Sequence, residues 1–220
     1  MSGSRQGDST PSAERLSIMC CGDSRTHGTA GGTTVRGAYR FTLNSLLTTR
    51  KGFAPRFIGG TSDTGITWNM CGQGARTTTT LLTDIQAQSP RFPSTQIFLI
   101  DIGANDVNTG VATATSTANV DSMITQIRID SPNATIWVAK IFDIEAKSAQ
   151  VVTYNDALTA KMALRSDYSA TNVLAKTMMY DLYTLVGPYG PTNFSNALHC
   201  NDTGYDVVAN GWYNQIITLF

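Results

Sequence analysis

The residues of this sequence that could perform chemistry, judged by their types and spacing, are one serine, one histidine and the polar residues of several short motifs. In the segment MCCGDSRTHG, residues 19–28, Ser24 stands between an aspartate and an arginine, directly after a short apolar run. A serine hydroxyl is a poor nucleophile until a base takes its proton, and histidine suits that task near neutral pH. Of the two histidines, His27 lies three residues beyond Ser24, whereas His199 belongs to a distant loop. We favour His199 as the base and a structural or loop-lining role for His27; the alternative for Ser24 is that it only caps a helix.

Three hydrogen-bond donors in the same motifs could stabilise the negative charge that develops on a carbonyl oxygen under nucleophilic attack. They are the backbone N–H of Ser24, the backbone N–H of Gly74 in the loop CGQG and the side-chain amide of Asn105 in the motif GAND. With a Ser–His pair, these donors make acyl transfer chemically coherent. The alternative for Gly74 and Asn105 is a role in turns only.

The elements that must position these residues alternate between strands and helices, which predicts a three-layer α/β/α sandwich with a central parallel five-stranded sheet. The segment TQIFLIDIGAND is apolar on both faces for most of its length, as in a strand covered by helices on both sides. The predicted strands are 16–21, 55–60, 95–106, 134–143 and 175–183, and the predicted helices are 38–50, 75–88, 119–130, 149–166 and 203–220.

Ligands of open parallel sheets bind at the carboxyl ends of the strands. Asp23 and Ser24 follow the first predicted strand, and Gly74 lies in the loop after the second. Asn105 follows the third strand, and His199 precedes the last helix. We therefore expect these groups to meet at one edge of the sheet.

Length and composition indicate one domain of ordinary size. A chain of 220 residues can bury a core without disulfide or metal support. We divide it into a disordered leader, residues 1–14, and a single domain, residues 15–220. The leader contains no apolar segment typical of a secretory signal, and no stretch has the length and apolarity needed to cross a bilayer.

The charge distribution argues against nucleic acid and anionic membranes as partners. The chain has 16 basic and 16 acidic side chains, and the basic residues are scattered. Only 15% of the residues are charged, and Thr, Ser, Asn and Gly are abundant, which favours an extracellular, virion-associated or glycan-facing setting.

The cysteines match no zinc-binding pattern. Cys20 and Cys21 are adjacent and no CxxC motif occurs, so free buried thiols are the favoured interpretation. A disulfide between Cys71 and Cys200, which both flank the candidate motifs, is the alternative.

The order of four motifs resembles that of the SGNH/GDSL hydrolases. GDS follows the first strand, a glycine lies in the next strand-to-helix loop, GAND follows a central strand, and a histidine precedes NDTGY near the C-terminus. GDSRTHG, the helix GAYRFTLNSLL and the loop CGQGA look most like carbohydrate acetyl esterases of the acetylxylan-esterase type. The resemblance implies a flavodoxin-like SGNH fold and a metal-independent esterase that needs no cofactor. Its expected substrate is an acetylated carbohydrate or another small ester.

The resemblance also implies roles for individual residues. Ser24 corresponds to the nucleophile and His199 to the general base. The implied oxyanion hole consists of Ser24, Gly74 and Asn105, and the implied supports of the motif loops are Asp23 and Asp106.

The family pattern is broken where its aspartate should stand three residues before the histidine, because this sequence reads NALH and has Asn196 there. An amide oxygen can accept a hydrogen bond from the imidazole, but it cannot stabilise the imidazolium with a full charge. Its NH₂ group could also favour the wrong tautomer. Asp202 and Asp181 are alternative carboxylates, although helix capping is the favoured role of Asp202.

Three functions follow. The favoured one is a carbohydrate acetyl esterase, and the first alternative is a short-chain aryl or lipid esterase on the same fold. The second alternative is a glycan-binding module whose catalysis is impaired by Asn196. The loop aromatics Trp68, Tyr189 and Phe194 could stack on sugar rings or simply pack within the fold.

Overall fold

The computed structural model describes residues 14–28, 37–61, 69–169 and 177–220, which fold as alternating strands and helices. The strands are β1 (Arg15–Gly22), β2 (Ala54–Phe57), β3 (Cys71–Gly72), β4 (Ile97–Asp101), β5 (Thr135–Lys140) and β6 (Thr177–Asp181). The helices are α1 (Ser24–His27), α2 (Tyr39–Lys51), α3 (Thr78–Gln88), α4 (Ala104–Thr109), α5 (Thr113–Asp130), α6 (Ser148–Ala163), α7 (Leu182–Val186) and α8 (Asp202–Ile216). Short 3₁₀ turns follow α3 at Ser89–Arg91 and α8 at Ile217–Leu219.

Every strand pairing among the described residues is parallel, and the main path of the sheet runs β2-β1-β4-β5-β6. The two-residue β3 pairs with the end of β1, on which Cys71 lies opposite Cys21 and Gly72 opposite Gly22. The start of β1 pairs with β2 instead. Strands β2 and β3 therefore lie on one side of β1, and β4 lies on the other side. Parallel sheets bind ligands at such a switch point, which here is the carboxyl end of β1.

Helices cover both faces of the sheet because alternate residues of each strand point to opposite sides. On one face, Ile18 and Leu99 pack in a buried cluster with Leu43 of α2 and Trp212 of α8. On the other face, strand residues that include Met19, Cys21, Phe98 and Ile100 pack against α3, α5 and α6. The predicted α/β/α sandwich with a five-stranded parallel sheet is confirmed, with β3 as an added short strand.

Some elements differ from the sequence prediction. Helix α5 begins at Thr113, six residues before the predicted start. The prediction missed its first turns because they are polar and show no apolar stripe. The last predicted strand stops at Asp181, whose side chain accepts a hydrogen bond from the N–H of Thr184 and starts α7. Helix α4 and strand β3 were not predicted, since elements of six and two residues carry almost no periodicity.

The division into a leader and one domain stays a prediction. Residues 1–13 and Trp68 lie outside the described residues, while Glu14 already accepts a hydrogen bond from the N–H of Ala54 in β2. No helix among the described residues has both the length and the apolarity to span a membrane.

Gly103 joins β4 to α4 and thereby places the GAND motif. Its φ of 122° lies in the region that favours glycine, and a Cβ there would come 2.3 Å from Cζ of Tyr154. The Tyr154 ring cannot move away easily, because it is buried and its hydroxyl donates to the carbonyl oxygen of Ile102 over 2.8 Å.

We predict that Gly103→Ala lowers the free energy of unfolding by about 2–5 kcal/mol, which combines backbone strain with overpacking. Gly110→Ala is the matched control, because Gly110 also has a positive φ, 77°, but open space around its missing Cβ. Gly110→Ala should lower the free energy of unfolding by about 1 kcal/mol. Chemical denaturation measures both values, and equal losses would contradict the packing argument.

Candidate active site

The residues predicted from the sequence meet at the carboxyl edge of the sheet. Gly22 and Gly72 are paired in register at the ends of β1 and β3, so Ser24 and Gly74 each follow two residues later. Asp101 ends β4 opposite Gly22, and Asn105 follows it in α4. Because the strands are parallel and in register, Ser24, Gly74 and Asn105 lie at the same edge of the sheet.

Ser24 lies against His199, which comes from the loop before α8. The distance between Oγ of Ser24 and Nε2 of His199 is 2.7 Å, and the two residues are 7% and 9% exposed. Ser24 is the first residue of α1, and the N-cap is Asp23, whose side chain accepts a hydrogen bond from the N–H of Arg25. The capping role that the sequence left open for Ser24 therefore belongs to Asp23.

Asn196 holds the other nitrogen of the imidazole. Its Oδ1 lies 3.0 Å from Nδ1 of His199 and accepts hydrogen bonds from the backbone N–H groups of Leu198 and His199, both over 3.0 Å. Those N–H groups can only donate, so they fix the amide with its oxygen toward the ring. Nδ1 of His199 then carries the proton and Nε2 faces Ser24 as an acceptor. The concern that the amide would present its NH₂ group and favour the wrong tautomer does not apply to this geometry.

The surroundings keep the imidazole uncharged. Burial, and to a smaller extent the nearby charge of Arg25, together lower the pKa of His199 to about 4. Asn196 supplies no negative charge that would offset these effects. A neutral imidazole with a free Nε2 is the form that can take a proton from a serine hydroxyl.

The side-chain amide of Asn105 lies at the same edge, with protein acceptors in this structure. Its Nδ2 donates to the carbonyl oxygen of Arg76 over 2.9 Å and makes a longer contact of 3.3 Å with Oδ2 of Asp23. Arg76 lies two residues beyond Gly74, so these contacts join α4 to the loop after β3. Gly74 itself is half-buried in that loop.

Two buried carboxyl groups lie beneath the site. Burial and the neighbouring Asp101 raise the pKa of Asp23 to about 7. Burial also raises the pKa of Asp101 to about 6, which the charge of Arg25 counteracts in part. Neither oxygen of the Asp101 side chain has a hydrogen-bond partner among the described residues.

Asp106 connects the three helices on one side of the site. Its carboxylate accepts hydrogen bonds from the N–H of Thr78 over 2.9 Å, from the hydroxyl of Thr78 over 2.6 Å and from the hydroxyl of Ser116 over 2.9 Å. Thr78 begins α3 and Ser116 belongs to α5, whereas Asp106 itself lies in α4. These contacts agree with the supporting role expected for Asp106.

Comparison with known proteins places the chain in a family. Residues 20–207 match the model of the GDSL-like lipase/acylhydrolase family. The chain belongs to that family. This GDSL-like protein is therefore a carboxylic ester hydrolase, as the motif order indicated. A search of the curated proteins gave no match.

Solved structures similar to this GDSL-like hydrolase support the same fold. A Clostridium thermocellum family 3 carbohydrate esterase is 24% identical, with a TM-score of 0.76 over 94% of this chain and 97% of that one. A family 3 carbohydrate esterase from Talaromyces cellulolyticus is 18% identical, with a TM-score of 0.76 over 93% and 97%. An acetyl esterase mutant solved with an acetate ion is 17% identical, with a TM-score of 0.74 over 93% and 97%.

Asp181, one of the alternative carboxylates of the GDSL-like hydrolase, has partners other than His199 in Thr184 and Lys140. Asp181 caps α7 and lies 3.6 Å from the ammonium group of Lys140. The N-cap of α8 is Asn201, whereas the sequence analysis favoured Asp202 for that role. Asparagine and aspartate cap helices about equally well. Asn201 is the residue with an extended backbone before the first turn, and its side chain accepts a hydrogen bond from the N–H of Gly204. His27 ends α1, where its carbonyl oxygen accepts from Arg40.

The loop aromatics pack on one another. Phe194 is 4% exposed, and its ring lies 5.9 Å from that of Phe142 and 5.2 Å from that of Tyr189. Of the two roles that the sequence left open for Phe194, packing within the fold is the one observed, because the ring belongs to the core. Tyr189 is half-buried against it.

The cysteines are free and buried, as favoured from the sequence. Cys71 and Cys200 belong to core clusters on opposite faces of the sheet, which is why no disulfide joins them. No group of three or more His, Cys, Asp or Glu side chains suited to a metal ion occurs in the part of the chain that the structure describes.

The sequence analysis missed Arg25 as a site residue. Arg25 is 1% exposed and reaches the segment before His199, where it donates to the carbonyl oxygen of Leu198 over 2.8 Å. A lone arginine beside a serine gives no sign in the sequence that its side chain is buried. The only available signal was its position inside the GDSRTHG motif.

We predict that Asn196→Asp raises the pKa of His199 by about 1–3 units, because a carboxylate beside Nδ1–H stabilises the imidazolium. The acid limb of kcat/KM, which reports the free enzyme's base, should move upward with it, from near pH 4. NMR titration of the two histidines measures the pKa directly. The control variant Asn133→Asp adds the same charge in an exposed turn before β5 and should leave the pKa of His199 unchanged. An unshifted His199 in Asn196→Asp would contradict the geometry.

Proposed function

We propose that this ester hydrolase removes acetyl groups from a carbohydrate through an acyl-enzyme intermediate on Ser24. The observation that carries the mechanism is the 2.7 Å contact between Oγ of Ser24 and Nε2 of a neutral His199, with the opposite nitrogen held by Asn196. The choice of substrate is supported by the similarity to two family 3 carbohydrate esterases and an acetyl esterase, which cover nearly the whole chain.

The first half of the proposed reaction forms the acyl-serine. Oγ of Ser24 attacks the acetyl carbonyl carbon while Nε2 of His199 takes the hydroxyl proton. The carbonyl π electrons move to the oxygen, giving a tetrahedral intermediate. When that intermediate collapses, the bond to the sugar oxygen breaks and His199 returns the proton to that oxygen. The deacetylated sugar leaves, and the acetyl group remains on Ser24.

The second half releases acetate. A water molecule attacks the acyl-serine carbonyl and gives its proton to Nε2 of His199. Collapse of the second tetrahedral intermediate breaks the bond to Oγ, which takes the proton back from His199. Ser24 and His199 are then in their starting forms, and no other reactant is consumed.

The proposed oxyanion hole consists of the N–H groups of Ser24 and Gly74 and the amide of Asn105. Ser24 begins α1, and the first N–H groups of a helix have no acceptor within the helix. One N–H of Asn105 is engaged by Arg76, and the other makes, among the residues that the structure describes, the longer 3.3 Å contact with Asp23. That second N–H is the one we assign to the oxyanion, because little is lost when the long contact is given up.

We predict that Ser24→Ala lowers kcat/KM for acetate release by about 10⁴-fold or more, because the reaction then lacks its nucleophile. Ser122→Ala, on the exposed face of α5, is the matched control and should retain full activity. Acetate released from acetylated xylan and from 4-nitrophenyl acetate is measured by NMR, and circular dichroism checks that both variants are folded. Appreciable turnover by folded Ser24→Ala would overturn the mechanism.

The substrate is tested separately with the unaltered protein. A carbohydrate acetyl esterase should release acetate from acetylated xylan or another acetylated glycan, and its kcat/KM on 4-nitrophenyl esters should fall as the acyl chain lengthens from acetyl to octanoyl. Hydrolysis of the octanoyl ester with no acetate from any acetylated glycan would overturn the carbohydrate assignment in favour of a lipid or aryl esterase.

A further inference from the structure

Arg25 places a buried guanidinium between three segments of the active-site edge. Its Nε donates to the carbonyl oxygen of Leu198 over 2.8 Å, Nη1 to that of Phe142 over 2.9 Å and Nη2 to that of Asp143 over 3.0 Å. The guanidinium carbon also lies 3.9 Å from the centre of the Phe142 ring. Among the described residues, the hydrogen bonds of the guanidinium go to carbonyl oxygens and none goes to a carboxylate.

A buried guanidinium that donates to no carboxylate is expensive to keep, even with the carboxyl groups of Asp23 and Asp101 near enough to interact with its charge, so its retention indicates a use. The carbonyl dipoles and the aromatic face offset part of the desolvation cost. A leucine or methionine would avoid the desolvation cost but would leave the carbonyl oxygens of Leu198, Phe142 and Asp143 without this donor. The arrangement therefore favours a role for the charge and the planar donor group beyond packing.

The bond between Arg25 and Leu198 links the direct chain neighbours of the two reacting residues. Arg25 follows Ser24 in the chain, and Leu198 precedes His199. The contact between Arg25 and Leu198 thus runs beside the 2.7 Å contact between Ser24 and His199. The other two bonds attach the same guanidinium to the segment that follows β5, which fixes the pair relative to the sheet.

We propose that Arg25 is a positioning residue that sets the distance between the Ser24 hydroxyl and the His199 imidazole by tying together the segments that carry them. The inference rests on the proposed function, since it concerns the reaction of that pair. Arg25 touches neither reacting atom. Its planar group with divergent N–H donors reaches three carbonyls at once, which the ammonium group of lysine cannot match in geometry.

The charge of Arg25 has a second consequence for the base. The charged groups on the elements around His199 are Arg25, Asp23, Asp101, Asp143, Glu145 and Asp202. Burial is the larger cause of the lowered pKa of His199, and the charge of Arg25 is the second cause. Asp23 and Asp101 have raised pKa values of their own, and the carboxylate of Asp143 is occupied by the N–H groups of Ile144 and Tyr189 and the hydroxyl of Ser148.

Two substitutions separate geometry from charge. Arg25→Lys keeps the charge but loses the three-way bonding, so we expect kcat to fall by about 10-fold with the pKa of His199 still low. Arg25→Met loses both, so kcat should fall by about 100-fold, as for a misplacement of about 1 Å. In Arg25→Met the pKa of His199 should rise by about 1 unit. KM should change little in either variant.

The control is Arg128→Met, which removes a half-buried arginine that donates to Asp167 and to the carbonyl oxygen of Ala134. Loss of Arg128 should lower Tm but leave kcat and the pKa of His199 unchanged in the folded protein. If Arg25→Met behaves like this control, Arg25 is merely structural and the proposal is overturned.

A further variant covers the case in which Arg25→Met does not fold. Phe142→Leu removes the aromatic face under the guanidinium and keeps every hydrogen bond and the charge, so kcat should fall by about 3-fold to 10-fold with the pKa of His199 unchanged. Unaltered kcat in folded Phe142→Leu and Arg25→Lys would overturn the proposal. The NMR titration needs no substrate, so a protein that hydrolyses no ester but shows the expected pKa shift refutes the proposed function and not the placement of Arg25.

Discussion

The contact between the Ser24 hydroxyl and the His199 imidazole depends on one amide oxygen. Oδ1 of Asn196 accepts from two backbone N–H groups and from the imidazole, so the loop and the ring take their orientation from the same atom. Because the backbone donors cannot reverse, the amide cannot flip, and the ring presents an unprotonated Nε2 to Ser24. The usual aspartate would add charge to this arrangement, whereas Asn196 supplies the orientation alone.

The rest of the fold brings the two halves of that contact together. The parallel register of β1, β3 and β4 ends three strands at one edge, and α1 begins there with Asp23 as its cap. Asp106 ties α3, α4 and α5 to one another on one side, and Arg25 ties α1 to the loops after β5 and before His199 on the other. Burial, and after it the charge of Arg25, keep His199 neutral, which suits a base but gives the imidazolium little support. A lower maximal rate than a full triad would give is the expected consequence.

The sequence predicted the parts of the structure that depend on periodicity and motif order. The strand at 97–101 is apolar on both faces, and α2 carries Leu43, Leu46 and Leu47 on one buried side, so both were recognisable. The pairing of Ser24 with His199 was expected because His199 lies in a distant loop before the last helix and because the motif order resembles that of the SGNH/GDSL hydrolases. The orientation of Asn196 was not readable, since it is fixed by backbone N–H groups that every sequence has. The burial of Arg25 was hidden for a similar reason, because its partners are carbonyl oxygens.

The most direct test of a reactive serine held by a neutral His–Asn pair is covalent labelling with diisopropyl fluorophosphate, followed by intact mass measurement and peptide mapping. The structure predicts one diisopropylphosphoryl group on the peptide that contains Ser24, formed by the unaltered protein and not by His199→Ala. Asn196→Ala should label slowly, because the imidazole then lacks its orienting oxygen. Absence of any adduct, or an adduct on another residue, would contradict the assignment of Ser24 and His199 as the reacting pair.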